Sequence, residues 1–133
     1  MNSPSSDPKR IVLIDDSESY CQLWGRFLGE RYGWDRVKIE VYFHPLEAMS
    51  AIDSSIDLLL LDLEMPMIDG RKFLEYAISR GVDRRRIIVS SGRDVELLHQ
   101  LFPTGDCLAV INKTDPAQQE AFLMILDSVV RRR

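Results

Sequence analysis

Five short apolar runs, at 11–14, 39–43, 56–61, 87–89 and 108–111, alternate along the chain with segments whose apolar residues recur at steps of three and four. No other feature narrows the fold as much. Strand and helix repeated five times over predict an α/β fold with a parallel sheet, because right-handed crossovers lay helices on both of its faces. The runs IVLI and LLLL carry no polar alternation, as expected of strands covered on both sides.

The intervening segments read as helices. Tyr20, Leu23, Trp24, Phe27, Leu28 and Arg31 define the first, with its apolar members on one stripe and Gly33 placed to end it. Leu46, Met49 and Ile52 define a second that starts on Pro45. Phe73, Leu74, Ala77 and Ile78 make a third closing at Gly81, and Val95, Leu98, Leu101 and Phe102 a fourth stopped by Pro103 and Gly105. The last opens at Asp115 with Pro116 in the first turn and Gln118 as the amide of a capping box, burying Phe122, Ile125, Leu126, Val129 and Val130.

The 133 residues suit one domain. Residues 1–9, rich in Ser, Pro and Asp, have nothing to bury and read as a disordered leader, so the folded domain is expected over 10–133. A net charge of -4 gives no basic excess to favour nucleic acid or an anionic membrane, and the basic run Arg131, Arg132 and Arg133 is short. Cys21 and Cys107 do not form a secreted disulfide framework and read as small buried hydrophobes of a reducing cytosol. No segment has the length of apolar residues needed to span a bilayer, which points to a cytoplasmic protein without membrane insertion.

In open parallel sheets, chemistry sits beyond the carboxyl ends of the strands. There the first run leads into Asp15 and Asp16, the third into Asp62, the fourth into Ser90 and Ser91, and the fifth into Lys113. Three clustered carboxylates repel one another, and a hard divalent cation with oxygen ligands keeps such a group ionised. Magnesium suits the task, since it accepts carboxylates, water and a phosphate oxygen together. A carboxylate can also be the nucleophile of phosphoryl transfer, with Lys113 as a point charge on the phosphoryl oxygens and the Ser91 hydroxyl as a donor to them. His44 and His99 read as structural or exposed.

The blocks IVLIDDSE, LLLLDLEMPMIDG, IIVSSG and INK, in this order and each at a strand end, resemble the signature blocks of bacterial response-regulator receiver domains from Arg10 to the C-terminus. The resemblance implies a flavodoxin-like five-stranded parallel sheet of order 2-1-3-4-5. It implies that Asp62 accepts phosphate from a histidine kinase or phosphotransfer protein, and that Asp16 binds Mg2+ directly. Asp15 would help through water and the main-chain carbonyl of Glu64 would complete the metal site. Lys113 would pair with the phosphoryl group, Ser91, followed by Gly92, would be the switching hydroxyl, and Met65, Pro66 and Gly70 would form the turn after the third strand. Signalling would proceed by contact with a downstream protein, and the chain would be a stand-alone regulator.

Two positions depart from the family. Val110 stands three before Lys113, where an aromatic often turns inward with the serine, and a valine has no large rotamer swing to offer. Thr114 stands where proline often follows the lysine, so the Lys113–Thr114 bond is expected to be trans. Glu64 and Arg93, two after Asp62 and Ser91 and opposite in charge, are expected to modulate the lifetime of the acyl phosphate as a pair.

Other readings stay open. A degenerate receiver would act as an adaptor without phosphorylation; the intact Asp62, Asp16, Ser91 and Lys113 argue against it, while Val110 keeps it open. A haloacid-dehalogenase-like magnesium phosphatase uses the same residue types, but wants its nucleophile on the first strand and an acidic residue two later.

Overall fold

The computed structural model describes residues 7–65, 69–92, 100, 102–103, 105–113 and 115–131. Five strands, β1 (Lys9–Ile14), β2 (Val37–Tyr42), β3 (Leu58–Asp62), β4 (Ile87–Ser91) and β5 (Ala109–Asn112), form one parallel sheet in the order β2-β1-β3-β4-β5. This is the flavodoxin-like order expected from the sequence. Strand β1 starts at Lys9, which pairs with Val37 and donates its N–H to the Arg36 carbonyl at 2.9 Å. Lys9, which composition assigned to the leader, is thus part of the sheet, because backbone pairing needs no apolar side chain.

Successive side chains on a strand point to opposite faces, and here each face has its own core. Val12, Ile14, Leu59, Leu61, Ile87 and Val89 face one way and pack with Phe73, Leu74 and Ala77 of helix α3 (Gly70–Ser79) and with Ala48 of the short helix α2 (Pro45–Ala48). Ile11, Leu13, Leu58, Leu60, Ile88 and Ile111 face the other way. They meet Cys21 and Leu28 of helix α1 (Glu18–Tyr32) and Phe122, Leu126 and Val130 of the C-terminal helix α4 (Pro116–Val130). The uninterrupted apolar run of β3 is buried throughout because it serves both cores.

Helix boundaries follow local chemistry. The Ser17 hydroxyl accepts from Tyr20 N–H at α1, and the helix ends at Gly33, whose φ of 97° suits a residue without Cβ. His44 caps α2, its Nδ1 accepting from Leu46 N–H at 3.2 Å, so the histidine is structural. Instead of continuing to Ile52 as an α-helix, α2 tightens into a 3-10 turn over Met49–Ala51. At α4, Asp115 caps Ala117 N–H at 3.0 Å, and Gln119 rather than Gln118 reaches back, donating from Nε2 to the Lys113 carbonyl at 3.0 Å.

Leu23, expected in the apolar stripe of α1, is 67% exposed. The sheet-facing line of that helix runs Cys21, Leu28 and Tyr32, and Leu23 lies two residues from Cys21, about 200° around the helix. Cys21 is buried as expected, whereas Cys107 is only half-buried. Ile125 and Val129 are likewise only partly buried at the edge of their core. Of the helical pattern at 95–102, Phe102 is buried in the first core, while Val95, Leu98 and Leu101 lie outside the described residues, as do His99, Arg132 and Arg133. No helix among the described residues is long and apolar enough to cross a membrane.

Candidate functional site

The parallel register brings the carboxyl ends of β1, β3, β4 and β5 to one edge. Asp62 pairs with Ser90 across β3 and β4, and Ser91 with Asn112 across β4 and β5. Lys113 follows immediately, its N–H donating to the Ser91 carbonyl at 2.8 Å. Asp15 continues from β1, its N–H donating to the Tyr42 carbonyl at 3.1 Å. Four strand ends thus deliver Asp15, Asp62, Ser91 and Lys113 to one place.

These groups are polar and largely removed from water: Asp15 is 1% exposed, Asp62 3% and Ser91 0%. Such burial requires partners. Lys113 Nζ lies 2.5 Å from Asp15 Oδ2 and 3.3 Å from Asp62 Oδ1. Asp15 Oδ1 accepts from Ser17 N–H at 2.9 Å, and Asp62 Oδ1 accepts from Glu64 N–H at 3.0 Å. The lysine is a shared partner whose shorter contact goes to Asp15. At Asp62 burial therefore outweighs the hydrogen bond from Glu64 and the attraction of Lys113, and with Asp15 adding repulsion the carboxyl is pushed up to about 6. At Lys113 the balance goes the other way. Burial lowers its pKa, but the hydrogen bond to Asp15 and the charge of Asp62 more than offset it, so the ammonium is held protonated.

Asp16 completes the cluster from an exposed position, and one carboxylate oxygen from each of Asp15, Asp16 and Asp62 lies within 4.8 Å of the other two. Three hard oxygen donors at that spacing fit a divalent cation such as magnesium. The surplus of negative charge is only partly met by one lysine, which strengthens the fit.

Two features were not evident from the sequence. The Lys113 ammonium sits over the Tyr20 ring, 4.4 Å from its centroid, so a residue read only as part of an apolar stripe forms a wall of the site. Burial and the charge of Asp15 push the Tyr20 phenol well above its ordinary range. Its place one turn into a helix that opens directly after Asp15 and Asp16 is the signal that would have revealed it. The second feature is the Glu64 carboxylate, which accepts a short hydrogen bond from the Ser91 hydroxyl and another from Gly92 N–H at 2.8 Å. A pairing of Glu64 with Arg93 was expected, but Arg93 lies outside the described residues, as do Pro66 and the Lys113–Thr114 bond.

Gly70 opens α3 close against Leu63, just past the end of β3. A Cβ there would lie 2.6 Å from Leu63 Cδ2 and 3.1 Å from Leu63 Cα, so any larger residue would have to push Leu63 aside. Asp69 caps the same helix through Arg71 N–H at 2.9 Å. Val110 pairs with Val89 and packs half-buried against the first core.

Residues 11–121 match the profile of the response regulator receiver domain. The chain belongs to that family. Among solved structures, a two-component response regulator from Clostridium difficile superposes with a TM-score of 0.74 at 19% identity, over 93% of this chain and 97% of that one. The chemotaxis protein CheY4 of Vibrio cholerae gives 0.72 at 19% identity, over 92% and 98%. The non-phosphorylated receiver domain of HemR from Leptospira biflexa gives 0.69 at 23% identity, over 94% and 96%. At these identities the likeness is one of fold. A Haloferax volcanii protein described as a candidate transcriptional regulator is 32% identical over 78 residues, which are 56% of this receiver but only 12% of that protein.

Proposed function

We propose that this receiver is a phosphoacceptor in a two-component phosphorelay, with Asp62 as the residue modified. The observation that carries the reading is the position of Asp62: a buried carboxylate at the end of β3, 3.3 Å from a lysine ammonium and within one carboxylate cluster with Asp15 and Asp16. A carboxylate oxygen of Asp62 attacks phosphorus of a phosphohistidine on a histidine kinase or phosphotransfer protein. The new bond is P–O, the P–N bond breaks, and the departing imidazole nitrogen takes up a proton.

Asp15, Asp16, Asp62 and the main-chain carbonyl of Glu64 would hold magnesium, which when bound supplies positive charge against the phosphoryl oxygens. Lys113 adds a fixed cation at the same place. The Ser91 hydroxyl and Gly92 N–H are the donors available to a phosphoryl oxygen. The output is contact with a downstream protein. Because Val110 has no large rotamer swing, that output would run through the loops after β3 and β4.

Intact mass after incubation with acetyl phosphate and magnesium tests the assignment. One added phosphoryl group is expected, labile to hydroxylamine and lost in Asp62→Asn. Steady turnover of a phosphomonoester would instead support the phosphatase reading, and partner binding that persists unchanged in Asp62→Asn would support the adaptor.

A further inference from the structure

Ser91 Oγ–H and Gly92 N–H converge on one atom, Oε1 of Glu64. The carboxylate lies flat against the glycine, both oxygens within 3.7 Å of the position a Cβ at residue 92 would take. Ser91 is fully buried, so its hydroxyl needs a partner within the protein, and its carbonyl is tied to Lys113 N–H, whereas Gly92 lies exposed at the rim of the site. One negatively charged oxygen receiving a hydroxyl and a backbone amide is the arrangement that a phosphoryl oxygen bound on Asp62 would require.

We infer that the Glu64 carboxylate is an internal stand-in for the phosphoryl group, holding the Ser91 and Gly92 donors in the unphosphorylated protein and giving them up when Asp62 is modified. This rests on the phosphoacceptor reading and adds a regulatory device to the same site. Two anionic oxygens cannot share the same pair of donors at hydrogen-bonding distance, so the incoming group and Glu64 exclude one another. The contact has two consequences. Phosphorylation must displace a charge-assisted hydrogen-bonded pair, which slows uptake. The Ser91 hydroxyl is already held by an anionic oxygen before phosphorylation, so the event that distinguishes the two states is the release of the Glu64 carboxylate. That provides a moving part in a protein whose Val110 supplies none.

The test uses the full chain as wild type, Glu64→Ala and the nearly isosteric Glu64→Gln, all of which retain the main-chain carbonyl at position 64. Initial rates of phosphoryl uptake from acetyl phosphate are measured at saturating magnesium, and the Gly92 amide is followed by two-dimensional NMR with and without beryllium trifluoride. Uptake should rise about tenfold in Glu64→Ala, the factor expected for losing a hydrogen-bonded charged competitor, with Glu64→Gln between it and wild type. The Gly92 amide proton should move upfield in unmodified Glu64→Ala and return downfield with beryllium trifluoride, while changing little in wild type. A general gain in attraction for anions would raise the rate but leave that amide where it is. If wild type is phosphorylated on Asp62 while Glu64→Ala is no faster, or its Gly92 amide matches that of wild type, the inference is overturned and the receiver reading stands. If Asp62 takes no phosphoryl group in wild type or either variant, the receiver reading itself fails.

Discussion

Lys113 Nζ lies 2.5 Å from Asp15 Oδ2, and this ion pair joins the end of β5 to the end of β1 across the whole carboxylate cluster. Removing the ammonium in Lys113→Ala leaves Asp15 and Asp62, both almost fully buried, with no ion-pair partner among the described residues. The expected loss of stability in the presence of a chelator is about 3 kcal/mol, the lower end for breaking a buried pair because the lysine keeps some contact with water. Magnesium should restore part of it. Urea unfolding with chelator and with magnesium measures both terms. If magnesium narrows the gap between variant and wild type by nothing, the cluster does not hold the ion.

Trp24 lines the same small cavity as Asp15, Tyr20 and Asp62, so its fluorescence should report on ions bound there. Magnesium titrations of the wild type are expected to saturate, and Asp16→Asn should weaken binding by about tenfold or more through loss of a directly coordinating oxygen. An unchanged affinity would remove Asp16 from the ligand set.

Asp127 of α4 receives two bonds from Arg31, at 3.0 and 2.8 Å, and one from the Tyr32 hydroxyl at 2.6 Å, which clamps α4 to α1. The Arg31 and Tyr32 hydrogen bonds hold the Asp127 carboxyl down at about 2, below its ordinary 3.8. A depressed folded-state value means that the unfolded chain binds the proton first. The contribution is therefore complete above about pH 4 and lost as the pH falls through about 2. Asp127→Asn should flatten the stability profile in that window and leave the profile around neutral pH parallel to wild type, as followed by thermal unfolding across the range.

Phe73 and Leu23 test which helix faces meet the sheet. Phe73 is almost fully buried, and Phe73→Ala should cost about 3 to 5 kcal/mol by opening a cavity in the core beneath α3. Leu23 is mostly exposed, and Leu23→Ala should change stability by no more than about 0.5 kcal/mol. Comparable losses in the two variants would mean that α1 turns Leu23 toward the protein.

The layered α/β architecture was legible because its signals are local and repeated. Apolar runs with no polar interruption, as in Leu58 to Leu61, announce burial on two faces before any partner is known. The candidate site was legible for the same reason, since Asp15, Asp62, Ser91 and Lys113 each stand within two residues of the end of such a run and parallel pairing carries these strand ends to one edge. Leu23 and the capping amide show the limit. Helical periodicity places Leu23 within a broad stripe, but the line that touches the sheet depends on how α1 is rotated against β1 and β2. Whether Gln118 or Gln119 reaches back depends on where the chain leaves β5.

What the sequence determined by itself is thus the order of elements, the sheet and the chemical groups at its edge, all of which follow from which residues are adjacent in the chain. The tertiary structure decided what those groups do to each other: that Lys113 is shared unequally between Asp15 and Asp62, that Tyr20 covers it, and that Glu64 turns to Ser91 and Gly92. Those relationships join residues 27 to 98 positions apart. Periodicity carries no information at that separation, and the choice of partner is made by distance and desolvation once the strands are packed.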